Sequence, residues 1–480
     1  MFNDLLPVVQ TINACLSDYI LVFLLMGVGL FYSIRTRFVQ IRCFGEGLRR
    51  VFGNFSINGK AKEGQMSSFQ ALATAIAAQV GTGNIVGACG AILTGGPGAI
   101  FWMWIIAFFG MATIYAEAVL AQVTRVKQPN GTYHGGPVYY IHKAFPGTLG
   151  RVLAVFFAVA ITLALGFMGC MVQSNSIGET SSLAFGVPAW GVGIVIAILA
   201  GFVFLGGVKR IAAITEKLVP LMALIYIAGS LTMLLMNVEH LVEAFGMIFY
   251  YAFNPEAIIG GSWGAALKTA ISQGAKRGLF SNEAGMGSTP HAHALAHVKN
   301  PHEQGVIAMV GVFIDTFVVL TLTALVVISG LYTDGGVLAS GAAEGVSKTN
   351  MAQMAFTTVF GHGVASVFVA VSLLFFAFST ILGWEYYGEK ALEYLVSKRS
   401  VLMGYRVLFS LIAFVGATQT LDFVWNFSDT MNGLMAIPNL LCLLVLNKDI
   451  AHECFEYQEL VVEKEKKGEE VNLSHLSPTI

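Results

Sequence analysis

The sequence predicts an all-α polytopic membrane protein of eleven transmembrane helices: one N-terminal helix followed by a 5+5 inverted repeat with broken first and sixth core helices. Three observations lead there. The 480 residues are 56% hydrophobic and only 11% charged, against about 25% charged in soluble domains. Eleven segments approach the roughly 20 apolar residues that cross a bilayer as a helix. Two of them, five spans apart, are interrupted by glycine and polar residues.

The eleven segments are 17–34, 67–94, 98–124, 149–178, 188–206, 212–236, 262–290, 305–331, 362–388, 401–416 and 420–446. No basic stretch precedes the first, and the N-terminus carries Asp4 and Asp18, so the segment reads as a span rather than a cleaved signal. Lys and Arg in the loops set the orientation. The first loop holds Arg35, Arg37, Arg42, Arg49, Arg50, Lys60 and Lys62 and is expected to be cytoplasmic. Alternating from there puts Arg125, Lys127, Lys143, Lys209, Arg210, Lys299, Lys390 and the tail on the same side, with Lys348 as the exception. The N-terminus is then outside and the C-terminus inside.

The expected organisation is an N-terminal helix and basic loop over 1–66, a first five-helix repeat over 67–236, a lid loop over 237–261, a second repeat over 262–446 and a charged tail over 447–480. The lid loop carries Glu239, Glu243, Glu256 and several aromatics, which suits an amphipathic surface helix. The loop at 332–361 is rich in Gly, Ala and Ser and reads as flexible. The tail reads as solvated and partly disordered.

The first interruption is Gly81-Thr82-Gly83-Asn84-Ile85-Val86-Gly87. Three glycines and an asparagine are poor helix formers, and a broken helix in hydrocarbon leaves costly unpaired backbone groups. Such a break persists only where protein buries it or a cavity is lined by it. The second lies in 274–290, around Gly278, Phe280, Ser281, Glu283, Gly285 and Gly287. Five spans begin at each break, and five is odd, so the second set is inverted. Paired broken segments in inverted halves are what an alternating-access transporter presents.

Other readings are weaker. No basic patch with interleaved aromatics points to nucleic acid. The six cysteines form no C-x-x-C pair and read as small buried hydrophobes. The glycines at 81, 83 and 87 imitate a dinucleotide loop, but no strand or ribose-binding acid accompanies them. His291, His293 and His297 have a zinc-like spacing, which would suit a membrane-embedded enzyme; packing histidines at a helix end are the plainer reading. Trp102 and Trp104 read as interface anchors or packing.

The run Gly95-Gly96-Pro97-Gly98, continuing to Trp102 and Trp104, resembles the signature of the sodium:alanine (alanine or glycine:cation) symporter family. The segments 81–87, 276–287 and 378–384 resemble it too, so the likeness extends from about residue 65 to 447. It implies a leucine-transporter-like fold and sodium-coupled symport of alanine, glycine or another small neutral amino acid, with no cofactor beyond the coupling ion. It implies a multi-pass protein of a bacterial plasma (inner) membrane whose partners are the amino acid, sodium and the lipid bilayer. A proton-coupled symporter and an amino-acid or cation channel stay open as alternatives.

A zwitterion needs both ends satisfied. Amides at a half-helix N-terminus suit its carboxylate, which assigns it to the backbone of Thr82, Gly83 and Asn84. The ammonium needs acceptors: carbonyls near Gly278 and Ser281, and the side chains of Asn84 or Gln173. Phe280 would limit side-chain size. The resemblance also puts Asn84, Gln173, Phe280, Ser281 and Thr380 near the substrate. It puts sodium, a hard cation wanting oxygen, between the first and eighth core helices, at Ala78, Gly81, Ala377, Ser379 and Thr380; back-bonding of the two hydroxyls to their own helix is the plain alternative. Charges inside spans are costly, so Glu117, Lys268, Lys276, Arg277, Glu283, Asp315 and Glu385 need partners. Arg277 or Lys276 is expected to pair with Glu283, Asp315 or Glu117, with Arg277 and Glu283 as candidates for gating or coupling.

Overall fold

The computed structural model describes residues 2–53, 66–129, 132–339, 344–419 and 421–467. Lys60, Lys62 and the tail beyond 467 lie outside the described residues. The chain is an all-α polytopic membrane protein. Among the described residues, eight helices are long and apolar enough to cross a membrane, or nine if one bent pair counts as a single span.

In chain order, α1 is Leu6–Arg35, α2 Phe44–Phe52, α3 Ser68–Gln79, α4 Gly83–Gly95 and α5 Ala99–Val123. Then follow α6 Thr148–Phe185, α7 Ala189–Phe204, α8 Gly207–Met236, α9 Leu241–Phe253 and α10 Trp263–Asn282. The rest are α11 Pro301–Leu331, α12 Met351–Phe360, α13 His362–Leu395, α14 Arg399–Ala417, α15 Leu421–Val445 and α16 Asn447–Lys467. Two expected spans fall outside the count for physical reasons: α7 is apolar but only 16 residues long, and α10 carries Lys268, Lys276 and Arg277.

Polarity is sorted as a bilayer requires. Large apolar side chains such as Ile198, Phe202, Leu224 and Leu235 face outward, an apolar surface that lipid covers. Glu117, Glu283, Asp315 and Glu385 are buried inside. The interior is built around α3, which packs on α8 and α13, and α10, which packs on α4 and α5. Ser67 starts α3 with a reciprocal cap: its hydroxyl accepts from the Gln70 N–H at 3.1 Å, and the Gln70 side chain accepts from the Ser67 N–H at 3.1 Å. Just ahead of α3, Met66–Ser67 pairs in parallel with Ala296–His297.

The lid segment contains a helix, α9, as its composition suggests, whereas the Gly- and Ala-rich loop, expected to be flexible, ends in α12. The tail also departs from the expected solvated end. It forms α16, whose Ile450, Cys454 and Tyr457 are buried because one apolar stripe runs through its charged sequence at helical spacing.

Candidate substrate and ion site

The first break falls where its glycines predict. Helix α3 ends at Gln79, Val80 turns extended with ψ 90, and α4 departs at 47°, opening with a wide turn over Gly83–Gly87. The exposed amides are answered by side chains. The Gly81 N–H donates to Asn84 Oδ1 at 2.9 Å, and the Thr82 N–H donates to Gln173 Oε1 at 3.0 Å. Asn84 and Gln173, expected as acceptors for an ammonium, thus cap the break itself. Thr82 Oγ1 is buried with no hydrogen-bond partner among the described residues.

The second break occupies the downstream part of the expected segment, not the stretch near Gly278 and Ser281 expected to free carbonyls. Gly278 and Ser281 are helical, and α10 continues to Asn282. A helical glycine costs only about 1 kcal/mol, and at Gly278 a Cβ would meet Ile106 of α5 in ordinary contact at 3.4 Å. The helix stops where Glu283 takes a left-handed conformation at φ 58, and Gly285 and Gly287 follow at φ 93 and 81. Glu117 holds this loop, accepting from the Gly285 and Gly287 amides at 3.1 and 2.9 Å and from Asn439 Nδ2 at 2.6 Å. Of the carbonyls at the end of α10, that of Asn282 accepts from Gln79 Nε2 at 2.7 Å. The start of α4 abuts the last turn of α10: a Cβ on Gly83 would sit 3.0 Å from Ser281 Cα and 3.2 Å from the Phe280 ring.

Asp315 of α11 joins both breaks. Its carboxylate accepts from Asn84 Nδ2 at 2.6 Å, from Ser281 Oγ at 3.0 Å and from Thr316 Oγ1 at 2.8 Å. The residue is fully buried, and every one of these donors is neutral. The sequence marked it only as a costly charge. No periodicity could have brought the chain-distant amide of Asn84 and hydroxyl of Ser281 around it.

The proposed ion residues converge on the first break. Thr380 Oγ1 is 3.0 Å from the Ala77 carbonyl and 3.5 Å from that of Val80, and Ser379 Oγ is 3.2 Å from Ala77 O. Both hydroxyls also bond back to Phe376 O. A Cβ on Gly81 would overlap Thr380 Oγ1. Ala78 and Ala377 are buried on the same pair of helices, but the carbonyls beside the hydroxyls belong to Ala77 and Val80.

The expected pairing of charges is corrected. Arg277 pairs with Asp429 of α15 and lies 4.6 Å over the Trp425 ring. Lys276 pairs with Asp18 of α1 at 2.6 Å, and Lys268 lies 3.7 Å from the same carboxylate. Neither basic residue reaches Glu283, Asp315 or Glu117, because α10 turns its cations away from the break toward α1 and α15. Glu283 instead accepts from Ser288 Oγ and Trp384 Nε1. Glu385 lies beside Glu389, which Arg406 holds at 2.8 Å. Phe280 is walled by Trp384 and Trp425, at 5.6 and 4.8 Å between ring centroids. Beyond Trp425 lies a cavity of ≈ 190 Å³ lined by Gly87, Lys276, Arg277, Lys348, Trp425 and Asp429 among others.

The histidine spacing does not assemble a metal centre. His291 and His293 are buried in a one-turn helix, whereas His297 has passed into the strand. His291 Nδ1 meets Ser288 O and His293 Nδ1 meets Gln304 Nε2, each at 2.8 Å. Trp102 and Trp104 pack, donating to Ala252 O and Thr321 Oγ1 at 3.1 and 2.8 Å.

Comparison with known proteins follows the same lines. The sequence model of the sodium:alanine symporter family matches residues 3–472. The chain is 43% identical to the sodium/alanine symporter AgcS of Methanococcus maripaludis, over 95% of this chain and 98% of that one. It is 39% identical to a putative sodium/proton-dependent alanine carrier protein, YrbD, of Bacillus subtilis, over 92% and 90%. Among solved structures, MhsT in complex with L-phenylalanine superposes with a TM-score of 0.58 at 13% identity, covering 80% of this chain and 90% of that one.

Proposed function

The chain belongs to the sodium:alanine symporter family, and from that premise we propose that it carries alanine together with sodium across a plasma membrane by alternating access. It is a multi-pass membrane transporter and not an enzyme. We further propose the finer architecture: eleven spans with the N-terminus outside, an extra first helix, and two inverted repeats over 67–236 and 262–446 that each begin at a break. Glycine and other small neutral amino acids are the nearest substrate alternatives.

One observation carries the proposal: two interrupted helices, α3/α4 and the end of α10, meet at Gly83 and Ser281 within a fully buried polar cluster. Amides and hydroxyls in such a place recognise a small zwitterion. The substrate carboxylate is taken by the Thr82 and Gly83 amides and Thr82 Oγ1, displacing Gln173 Oε1. That frees Gln173, with the terminal carbonyls of α10, for the ammonium. Phe280 closes the side-chain pocket. Sodium binds between Thr380, Ser379 and the Ala77 and Val80 carbonyls. Arg277 and Asp429 form a gate above Trp425.

Asp315 favours a second coupling position. A buried carboxylate contacted only by neutral donors is costly unless a cation or proton accompanies it. Asp315 with Ser281 and Thr316 therefore takes a second sodium, or a proton in a proton-coupled cycle. Uptake of labelled alanine into proteoliposomes under imposed sodium or proton gradients tests this reading. Accumulation driven by neither gradient overturns symport, and flux far above carrier turnover would indicate a channel.

A further inference from the structure

Away from the transport centre, α2 and the start of α11 bring together three side chains of metal-binding type. Cys43 precedes α2, Glu46 lies in its first turn, and His302 is the second residue of α11. One ligand atom from each lies within 4.8 Å of the other two. His302 is fully buried and Cys43 nearly so, while the Glu46 side chain keeps 31% of its surface exposed. The cluster is thus buried on two sides and open on one.

The histidine is already oriented. Tyr115 of α5 holds its Nδ1 at 2.7 Å, and the Tyr457 ring stacks on it at 4.4 Å. Its Nε2 therefore points at Glu46 Oε2, 3.4 Å away. Arg50 holds the other oxygen, Oε1, at 2.8 Å. An outer group fixing one imidazole nitrogen while the other faces a ligand set is the usual support of a metal-binding histidine. We propose that Cys43, Glu46 and His302 form a site for one zinc-class divalent ion, with a water as fourth ligand.

Thiolate and imidazole favour zinc over calcium or magnesium, which prefer all-oxygen sets. Bonds of about 2.0–2.3 Å to a tetrahedral zinc separate ligand atoms by roughly 3.5 Å. The present spacing closes by about 1 Å through rotation of the Cys43 and Glu46 side chains. Binding releases the thiol proton to solvent, and the Arg50 guanidinium stays on Glu46. The bound ion ties the segment after α1 to α11, the helix that carries Asp315.

The test uses the purified full chain in detergent. After equilibration with zinc and removal of excess, elemental analysis is expected to give one zinc per chain, and cobalt in its place gives a thiolate-to-metal absorption band. Cys43→Ser removes the band, and His302→Ala removes the zinc. Tyr115→Phe, which leaves all three ligands in place, weakens binding about 10- to 100-fold. An alanine-induced thermal shift confirms that each variant is folded. Wild-type protein without stoichiometric zinc, or a Cys43→Ser variant retaining the cobalt band, overturns the site.

Discussion

The Asn84 side-chain amide donates to the Asp315 carboxylate at 2.6 Å, tying the first helix break to α11. The same asparagine accepts the Gly81 N–H through its oxygen. One residue thus reads the state of the break on one side and of a buried charge on the other. In the proposed cycle, a cation at Asp315 is thereby linked to the backbone assigned to the substrate carboxylate.

That link makes Asp315→Asn the most informative substitution. It keeps the shape and removes the charge, so the protein should still fold. Alanine uptake is expected to need at least about tenfold more sodium, since a tenfold change corresponds to the loss of about 1.4 kcal/mol, less than a charge-assisted contact supplies. Uptake measured against sodium concentration decides it; an unchanged curve removes Asp315 from ion coupling.

Gly81 and Thr380 make a second pair. Only a residue without Cβ fits where Gly81 meets the Thr380 hydroxyl. Gly81→Ala should push α3 and α13 apart and reduce uptake to a few per cent, while the protein still reaches the membrane. Thr380→Ala removes an oxygen without a clash. It should raise the sodium requirement and leave alanine selectivity alone. If Thr380→Ala transports with an unaltered sodium dependence, the hydroxyl serves only its own helix.

Arg277 and Asp429 are 12% and 5% exposed in their side chains. Removing one partner of such a pair leaves an uncompensated charge, at a cost of about 3–5 kcal/mol. Arg277→Met or Asp429→Leu alone should therefore lower thermal stability sharply, and the double variant should recover most of it. If the pair is a gate, transport stays impaired in the double variant despite the recovered stability. Recovery of both together would make the pair structural only.

How far the sequence carried this picture depends on the range of each signal. The first break was legible to within a few residues because glycines and an asparagine clustered in an apolar span are poor helix formers; the interruption itself is confined to residues 80–82, and Gly83–Gly87 form the wide first turn of α4. The end of α10 was displaced by several residues because Gly278 is cheap to keep helical once packed on α5. The partners of Arg277 and Lys276 were misread. Hydropathy gives the depth of a charge but not the direction it faces, and Asp18 and Asp429 come from helices at opposite ends of the chain. Glu117 as the anchor of the second loop was invisible for the same reason, its ligands being backbone amides 168 and 170 residues away.

Phe280 offers the last prediction. Its ring is 2% exposed, edge-on to Trp384 and tilted against Trp425, and it touches the position of Gly83 in the first break. A pocket bounded by such a wall admits a methyl side chain and rejects branched ones by overpacking, which costs about 1–3 kcal/mol. Phe280→Leu shortens the wall while keeping an apolar surface. Competition by valine or leucine for labelled alanine uptake is expected to strengthen by about 5- to 150-fold, the range set by that energy. Alanine itself should bind somewhat more weakly, because the remaining space is poorly filled. The relevant measurement is the ratio of inhibition constants for valine and alanine in the two proteins. An unchanged ratio assigns the limit on substrate size to another wall, and leaves Phe280 as packing between Trp384 and Trp425.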